Sequence, residues 1–222
     1  ILLKSNSFDV LNFYILDGNI SDENKNKIEQ LKRIRDFNLK FVQIDENLFE
    51  TYKKIKTHSY ISLSTFYRLK LASLLPDIEK VLYLDCDVVV NDDIEQLYNT
   101  DITDYYAAGV MDTAMKSSGW VPKLEKDNLY FNAGVLLFNL EKIRQDNIEQ
   151  KFEAYTTENI DNIRVGDQQI INVVCQGKIK QLPSAWNVQS SNFINRSDYT
   201  NNPKIVHYVG KQKPWIFGSM NY

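Results

Sequence analysis

The 222-residue chain has no apolar run of the length a transmembrane helix needs. Its two cysteines, Cys86 and Cys175, are too few for a disulfide framework and fit a reduced, cytosolic setting. A formal net charge of -3 argues against a general nucleic-acid binder, which would carry a basic excess. Neither GxxxxGKS/T nor GxGxxG occurs, so any phosphate must be held without those glycine loops. There is no internal repeat and no low-complexity tract. What remains is an ordinary globular composition, 43% hydrophobic and 25% charged, with length enough for one domain over residues 1–222 and a real core. The chain begins at Ile1, and Ile1-Leu2-Leu3-Lys4 reads as the end of a helix, so an upstream segment is expected.

The first half alternates strand and helix. Asn12–Leu16 is an apolar, aromatic strand ended by Asp17-Gly18. Ser21 is an N-cap, with Asp22 and Glu23 in the first turn, and Ile28, Leu31 and Ile34 recur at helical spacing through Arg35. Lys40–Ile44 alternates like a half-buried strand, which suggests a βαβ unit. A weak helix covers Asn47–Ile55, and His58-Ser59-Tyr60 reads as loop. Ser64–Leu75 is a stronger helix with Phe66, Leu69 and Leu74 on its apolar side and Pro76 as its stop. Arg68 on that helix reads as a solvated charge if nothing else is known.

Val81–Leu84 is a short buried strand that runs into Asp85-Cys86-Asp87. Carboxylates at i and i+2 of extended chain share a side, and two of them together call for a positive partner. A hard divalent cation with oxygen ligands answers that need. A water-capped strand end with an Asx turn at Asn91–Asp93 answers it equally well. Ile94–Tyr98 is a short helical piece, and Tyr105–Val110 a strand leading to Asp112. Tyr130–Asn139 is the second strong strand, interrupted by Asn132, Ala133 and Gly134. The glycine marks either a close approach by a ligand or backbone, or a β-bulge. Leu140–Tyr155 reads as one helix. Asp167 opens the helix through Ile170–Cys175 as an N-cap, a structural role that competes with a functional one. Ile179–Leu182 is a strand, Trp186-Asn187 begins a polar, flexible stretch to Asn202, and Ile205–Val209 is a last strand containing His207. A lone strand histidine is ordinarily a core residue. His207 differs in being followed by a glycine-basic tail, Gly210 to Lys213, that suits phosphate. Two aspartates and a histidine around one cation fit Mn²⁺ or Mg²⁺, and imidazole tilts the choice to Mn²⁺.

Four stretches carry a resemblance: SLSTFYRLKLASLLPDIEKVLYLDCDVVV, YFNAGVLLFNL, GDQQIIN and HYVGKQKPW. In this order and register they resemble glycosyltransferase family 8, which includes bacterial lipooligosaccharide galactosyltransferases and glycogenin. The match runs from Asn12 to about Trp215. It implies a GT-A fold, an α/β Rossmann-like domain with a mixed, mostly parallel central sheet flanked by helices. It also implies retaining transfer of a hexose from UDP-glucose or UDP-galactose to a carbohydrate acceptor, with Mn²⁺ on the diphosphate and Mg²⁺ as the alternative. Carried over, Asp85, Asp87 and His207 ligate the metal, and Gly210 and Lys213 contact the diphosphate. Arg68, Asp167 and Gln168 hold the donor sugar, with Gln168 on the reacting face and Asn132, Ala133 and Gly134 lining the pocket. An amide is a poor nucleophile, so Gln168 is expected to act by hydrogen bonding or electrostatics. Asp112, the loop Met115–Asn128 and the stretch Ser190–Asn202 are expected at the acceptor. The family's first strand, which grips uracil and ribose, would precede Ile1. A cytoplasmic location, with peripheral association at the inner face of the membrane, completes the expectation. Cys86 is expected to point into the core.

Two other readings compete. Haloacid-dehalogenase-type phosphatases also end an apolar strand in Asp-x-Asp, although their motif lies near the chain start and needs a further Asp after Gly-Asp. A non-catalytic carbohydrate-binding protein on the same fold would not need Asp85, Asp87, His207 and Lys213 intact.

Overall fold

The structure, a computed structural model, describes residues 1–4, 10–56, 62–113, 115, 122, 124–125, 129–189, 202–210 and 213–216. The expected loop at His58-Ser59-Tyr60, most of Met115–Asn128 and nearly all of Ser190–Asn202 lie outside them. Nine strands are described: β1 (Asn12–Asp17), β2 (Asn38–Gln43), β3 (Lys80–Leu84), β4 (Val88–Val90), β5 (Ala107–Met111), β6 (Phe131–Asn139), β7 (Ile179–Gln181), β8 (Val188–Gln189) and β9 (Ile205–His207).

β1 and β2 pair in parallel around the helix Asp22–Glu29, so the βαβ unit is present. Ser21 caps that helix through Oγ, which accepts from Asn24 N–H at 3.4 Å. Its apolar stripe is not buried: Leu31 and Ile34 are exposed, and the chain tightens into a 3-10 turn at Gln30–Arg33. Leu63–Lys70 is likewise 3-10 rather than α before the α-turn Leu71–Leu74. The expected single helix Leu140–Tyr155 is two, Leu140–Gln145 and Ile148–Asn159, broken where Asn147 adopts φ +53°.

The central sheet has the order β3-β6-β5-β7. It is mixed, as expected, yet antiparallel contacts outnumber parallel ones: β6 runs against both β3 and β5, and only β5 and β7 are parallel. Asp112 N–H, just past β5, donates to the carbonyl of Tyr130, just before β6, at 2.8 Å, which extends the ladder of this antiparallel pair. Residues Phe131–Phe138 of β6 are all buried, since both faces of the sheet are covered. The strand's period of two sends Leu136 and Phe138 into a core with Phe49, Tyr52, Phe66 and Phe152. Val135 and Leu137 go into a second core with Leu97, Trp186 and Ile205.

A third sheet, β4-β9-β8, continues from the end of β3. Val88 lies opposite His207, and Gln189 pairs with His207 on its other side. Leu84 lies opposite Val135. Asp85 therefore falls beside Gly134, and Asp87 beside His207, at the point where one sheet hands over to the next.

β1 pairs only with β2 and β3 only with β6 among the described residues. Consecutive residues Tyr14–Leu16 and Val81–Leu84 line one cavity of about 1270 Å³. β3 is accordingly half-buried along its length rather than fully buried. Among the described residues no helix is long and apolar enough to cross a membrane.

Candidate active site

The same cavity reaches Arg68, Asp85, Asp87, Asp112, Asn132–Gly134, Asp167, Gln168, His207, Gly210 and Lys213, so every residue expected at the site lines it. Its chemistry divides into a charged end and an amide end.

At the charged end, one ligand atom each from Asp85, Asp87 and His207 lie within 4.8 Å of one another. His207 Nε2 stands 3.8 Å from Asp85 Oδ2 and 3.2 Å from Asp87 Oδ1. Each carboxylate commits its other oxygen to the protein. Asp85 Oδ1 accepts from Arg68 at 2.7 Å and from the Tyr83 hydroxyl at 2.9 Å. Asp87 Oδ2 accepts from Lys213, whose ammonium also reaches the Tyr208 carbonyl. Asp87 Oδ1 is fully buried and makes no hydrogen bond among the described residues. Burial pushes the Asp87 carboxyl up, but His207 and Lys213 outweigh it and hold it at about 2. Two inward carboxylate oxygens and an imidazole nitrogen, one of them an orphan acceptor, are a donor set for a hard or borderline divalent cation.

Gly134 makes this packing feasible. A Cβ there would stand 2.1 Å from His207 Cε1 and 2.7 Å from Asp85 Oδ2, both impossible contacts. The close approach anticipated at this glycine is thus by the protein's own ligand side chains. Cys86 differs from expectation: it is exposed and lines the same cavity as the two aspartates, because the strand has ended at Leu84 and the chain turns at Cys86-Asp87, so strand alternation no longer holds.

Arg68 is not a solvated charge. It is buried, donating through Nε to the Thr65 carbonyl at 3.0 Å and through its fork to the Ala133 carbonyl and Asp85. Its guanidinium carbon lies 4.3 Å from the centroid of the Tyr83 ring. Nε is also 3.0 Å from Asp167 Oδ2, but its proton is spent on Thr65, so that oxygen is buried without a hydrogen bond among the described residues. Asp167 is not the N-cap. The helix Gly166–Val174 is capped at Val165, with Gly166 at φ +59°, which carries Asp167 into the first turn facing Arg68. Burial pushes its carboxyl up to about 6, with Arg68 opposing and Asp85 adding to the rise.

The amide end is saturated. Gln168 Oε1 accepts from Ala133 N–H at 3.0 Å and Asn132 Nδ2 at 3.3 Å, and Gln168 Nε2 donates to Asp112 Oδ2 at 3.2 Å. Asn132 Oδ1 accepts from Gly134 N–H and from Asn187 Nδ2, both at 2.9 Å. Its Nδ2 also donates to Asp112 at 3.2 Å. Asp112, 2% exposed, receives Met115 N–H at 2.9 Å as well.

The sequence reading missed Asn187, which it assigned to a flexible stretch. Trp186 and Asn187 are instead buried in the 3-10 turn Ser184–Asn187. The turn is pinned by Lys204 N–H on the Ala185 carbonyl at 2.9 Å and by the Lys204 ammonium over the Trp186 ring. The one available signal was the strand-ending Pro183 just before it.

Glycosyl transferase family 8 matches residues 2–217. The chain belongs to that family. A Haemophilus influenzae protein that bears a glycosyltransferase name is 34% identical over 92% of this family 8 chain and 64% of its own length. Glycosyltransferase GlyF of Streptococcus pneumoniae is 28% identical over 92% of this chain and 50% of its own length. The chain thus spans between half and two thirds of these two relatives. Among solved structures, the galactosyltransferase LgtC, determined with donor and acceptor sugar analogues, is 27% identical, with a TM-score of 0.82. The likeness covers 96% of this chain and 81% of that one. The expected GT-A fold is therefore present, and the phosphatase reading has no counterpart among the matches described.

Proposed function

We propose that this family 8 chain is a metal-dependent, retaining glycosyltransferase that moves glucose or galactose from a UDP-sugar to a carbohydrate acceptor. The observation that carries this reading is the pair Asp85 and Asp87, each holding one oxygen on a protein cation and turning the other toward His207. These three residues would hold Mn²⁺, with Mg²⁺ as the alternative. When bound, the ion supplies Lewis-acid stabilisation of the charge that grows on the diphosphate as the glycosidic bond breaks.

The chain's own residues do the rest. Lys213 adds a point cation at the charged end. Gly210, at φ +82° with open space where a Cβ would stand, lets the backbone come close to a phosphate. The orphan Asp167 Oδ2 is an acceptor for a sugar hydroxyl, and Arg68 ties that acceptor to Asp85. Gln168 Oε1 already accepts two N–H groups, which fits hydrogen-bonding control of the reacting face and not attack. Asp112 holds Gln168 and Asn132 in place. Ala133 and Gly134 line the cavity beside the aspartates and would border the donor.

The function itself is tested with a panel of UDP-sugars, with and without Mn²⁺. Turnover of UDP-glucose or UDP-galactose that needs the ion, with product of retained anomeric configuration, is expected. An inverted product, or no metal-dependent turnover of any UDP-sugar, would overturn it.

A further inference from the structure

The amide chain behind His207 has a polarity that can be read from one end. Gly134 N–H can only donate, so the Asn132 atom it meets is the oxygen. The other end of that side chain donates to the Asp112 carboxylate, which agrees. An Asn132 oxygen must in turn receive the Asn187 NH₂ group at 2.9 Å. The remaining Asn187 atom is then its carbonyl oxygen, and it lies 3.1 Å from His207 Nδ1. An oxygen acceptor at that distance requires Nδ1 to carry a proton. In the neutral ring Nε2 is then left with its lone pair, directed at Asp85 and Asp87. Asn187 is 1% exposed, so no water stands ready to take over either bond.

We infer that Asn187 is a positioning residue for the metal site: it fixes His207 as the Nδ1–H tautomer and so presents Nε2 as a ligand. This inference rests on the metal reading of Asp85, Asp87 and His207. Histidines that bind metals ordinarily donate their other ring N–H to a partner, and loss of that partner lowers metal affinity. Here the partner is an amide, held by a backbone donor and a buried carboxylate through Asn132, and it ties the metal end of the cavity to Gln168 at the other.

Two readouts test it. The chain has only two histidines, His58 and His207, so imidazole ¹⁵N spectra of the metal-free protein, recorded where both rings are neutral, are readily assigned with a His58→Gln reference. His207 should show the Nδ1–H tautomer in the wild type and lose that preference in Asn187→Leu, whereas Asn187→Asp, whose carboxylate still accepts from Nδ1–H, should keep it. Titration with Mn²⁺ alone, followed by loss of the free-ion EPR signal, should show about 10- to 100-fold weaker binding for Asn187→Leu. Asn187→Asp should restore most of it. Asn187→Ala adds no bulk and reads the same way should leucine not be accommodated in the fold. A folded Asn187→Leu or Asn187→Ala variant with unchanged tautomer and unchanged Mn²⁺ affinity would overturn the inference. A wild type that binds no Mn²⁺ while the tautomer shifts as described would instead overturn the metal reading and leave the tautomer assignment standing.

Discussion

The charged end and the amide end of the cavity treat their polar groups in opposite ways. At the charged end, Asp85 and Asp87 are about a quarter exposed, and each leaves one oxygen facing His207. At the amide end, Asn132, Gln168 and Asp112 meet one another and the backbone. A buried carboxylate oxygen left without a donor, as Asp87 Oδ1 is among the described residues, is costly, and it persists where a cation will complete it. A satisfied amide network specifies geometry and resists motion. The contrast teaches that the charged end is built to bind and the amide end to hold.

Replacing Asp87 by Ala attacks the charged end directly. Mn²⁺-dependent UDP-sugar turnover should fall to background, roughly a thousandfold or more if several kcal/mol of Lewis-acid stabilisation are lost. The circular-dichroism melt should stay close to wild type, because the side chain sits at the cavity wall, about a quarter exposed, and not in the apolar core. Persisting turnover would break the assignment of this end to a metal.

Asn132→Ala probes the opposite behaviour. It strips a buried acceptor from Gly134 N–H and Asn187 and a donor from Asp112, so stability should drop by about 2–3 kcal/mol in urea unfolding. An unchanged midpoint with a large loss of turnover would mean that Asn132 reads the substrate and that the amide end is not a holding element.

Lys213→Ala should weaken UDP binding about 3- to 10-fold at low salt and less at high salt, as an incompletely buried cation is screened. Calorimetric titration at two ionic strengths would reveal an unaffected affinity if Lys213 serves only to neutralise Asp87. The smallest effect belongs to Cys86→Ser. The thiol faces the cavity but is no part of the ligand cluster, so turnover should stay within about twofold of wild type. A larger change in a steady-state assay would bring Cys86 into the charged end.

The legible part of the site was the part written in adjacent residues. Asp85 and Asp87 sit on either side of one residue, so the pair could be read as one site, although a turn at Cys86-Asp87 and not extended backbone brings them together. Arg68 was visible as a charge, but its burial under Tyr83 and beside Asp167 depends on a 3-10 segment that helical periodicity does not announce. Asn187 was invisible because an amide in a polar stretch looks like surface. Only its pairing with Asn132, 55 positions away, makes it part of the site.

By itself the sequence determined most of the order of strands and helices, the β1–β2 crossover, the largely apolar β6 and the residue types of a cation site. Those follow from period, capping and charge, which act over a few residues. The tertiary structure alone decided that β6 runs against both neighbours, that Leu31 and Ile34 stay exposed and that Gly134 makes room for His207. It also decided that Asn187 sets the face His207 turns to the aspartates. Each of these depends on groups far apart in the chain meeting at one distance, and only the packed fold supplies that.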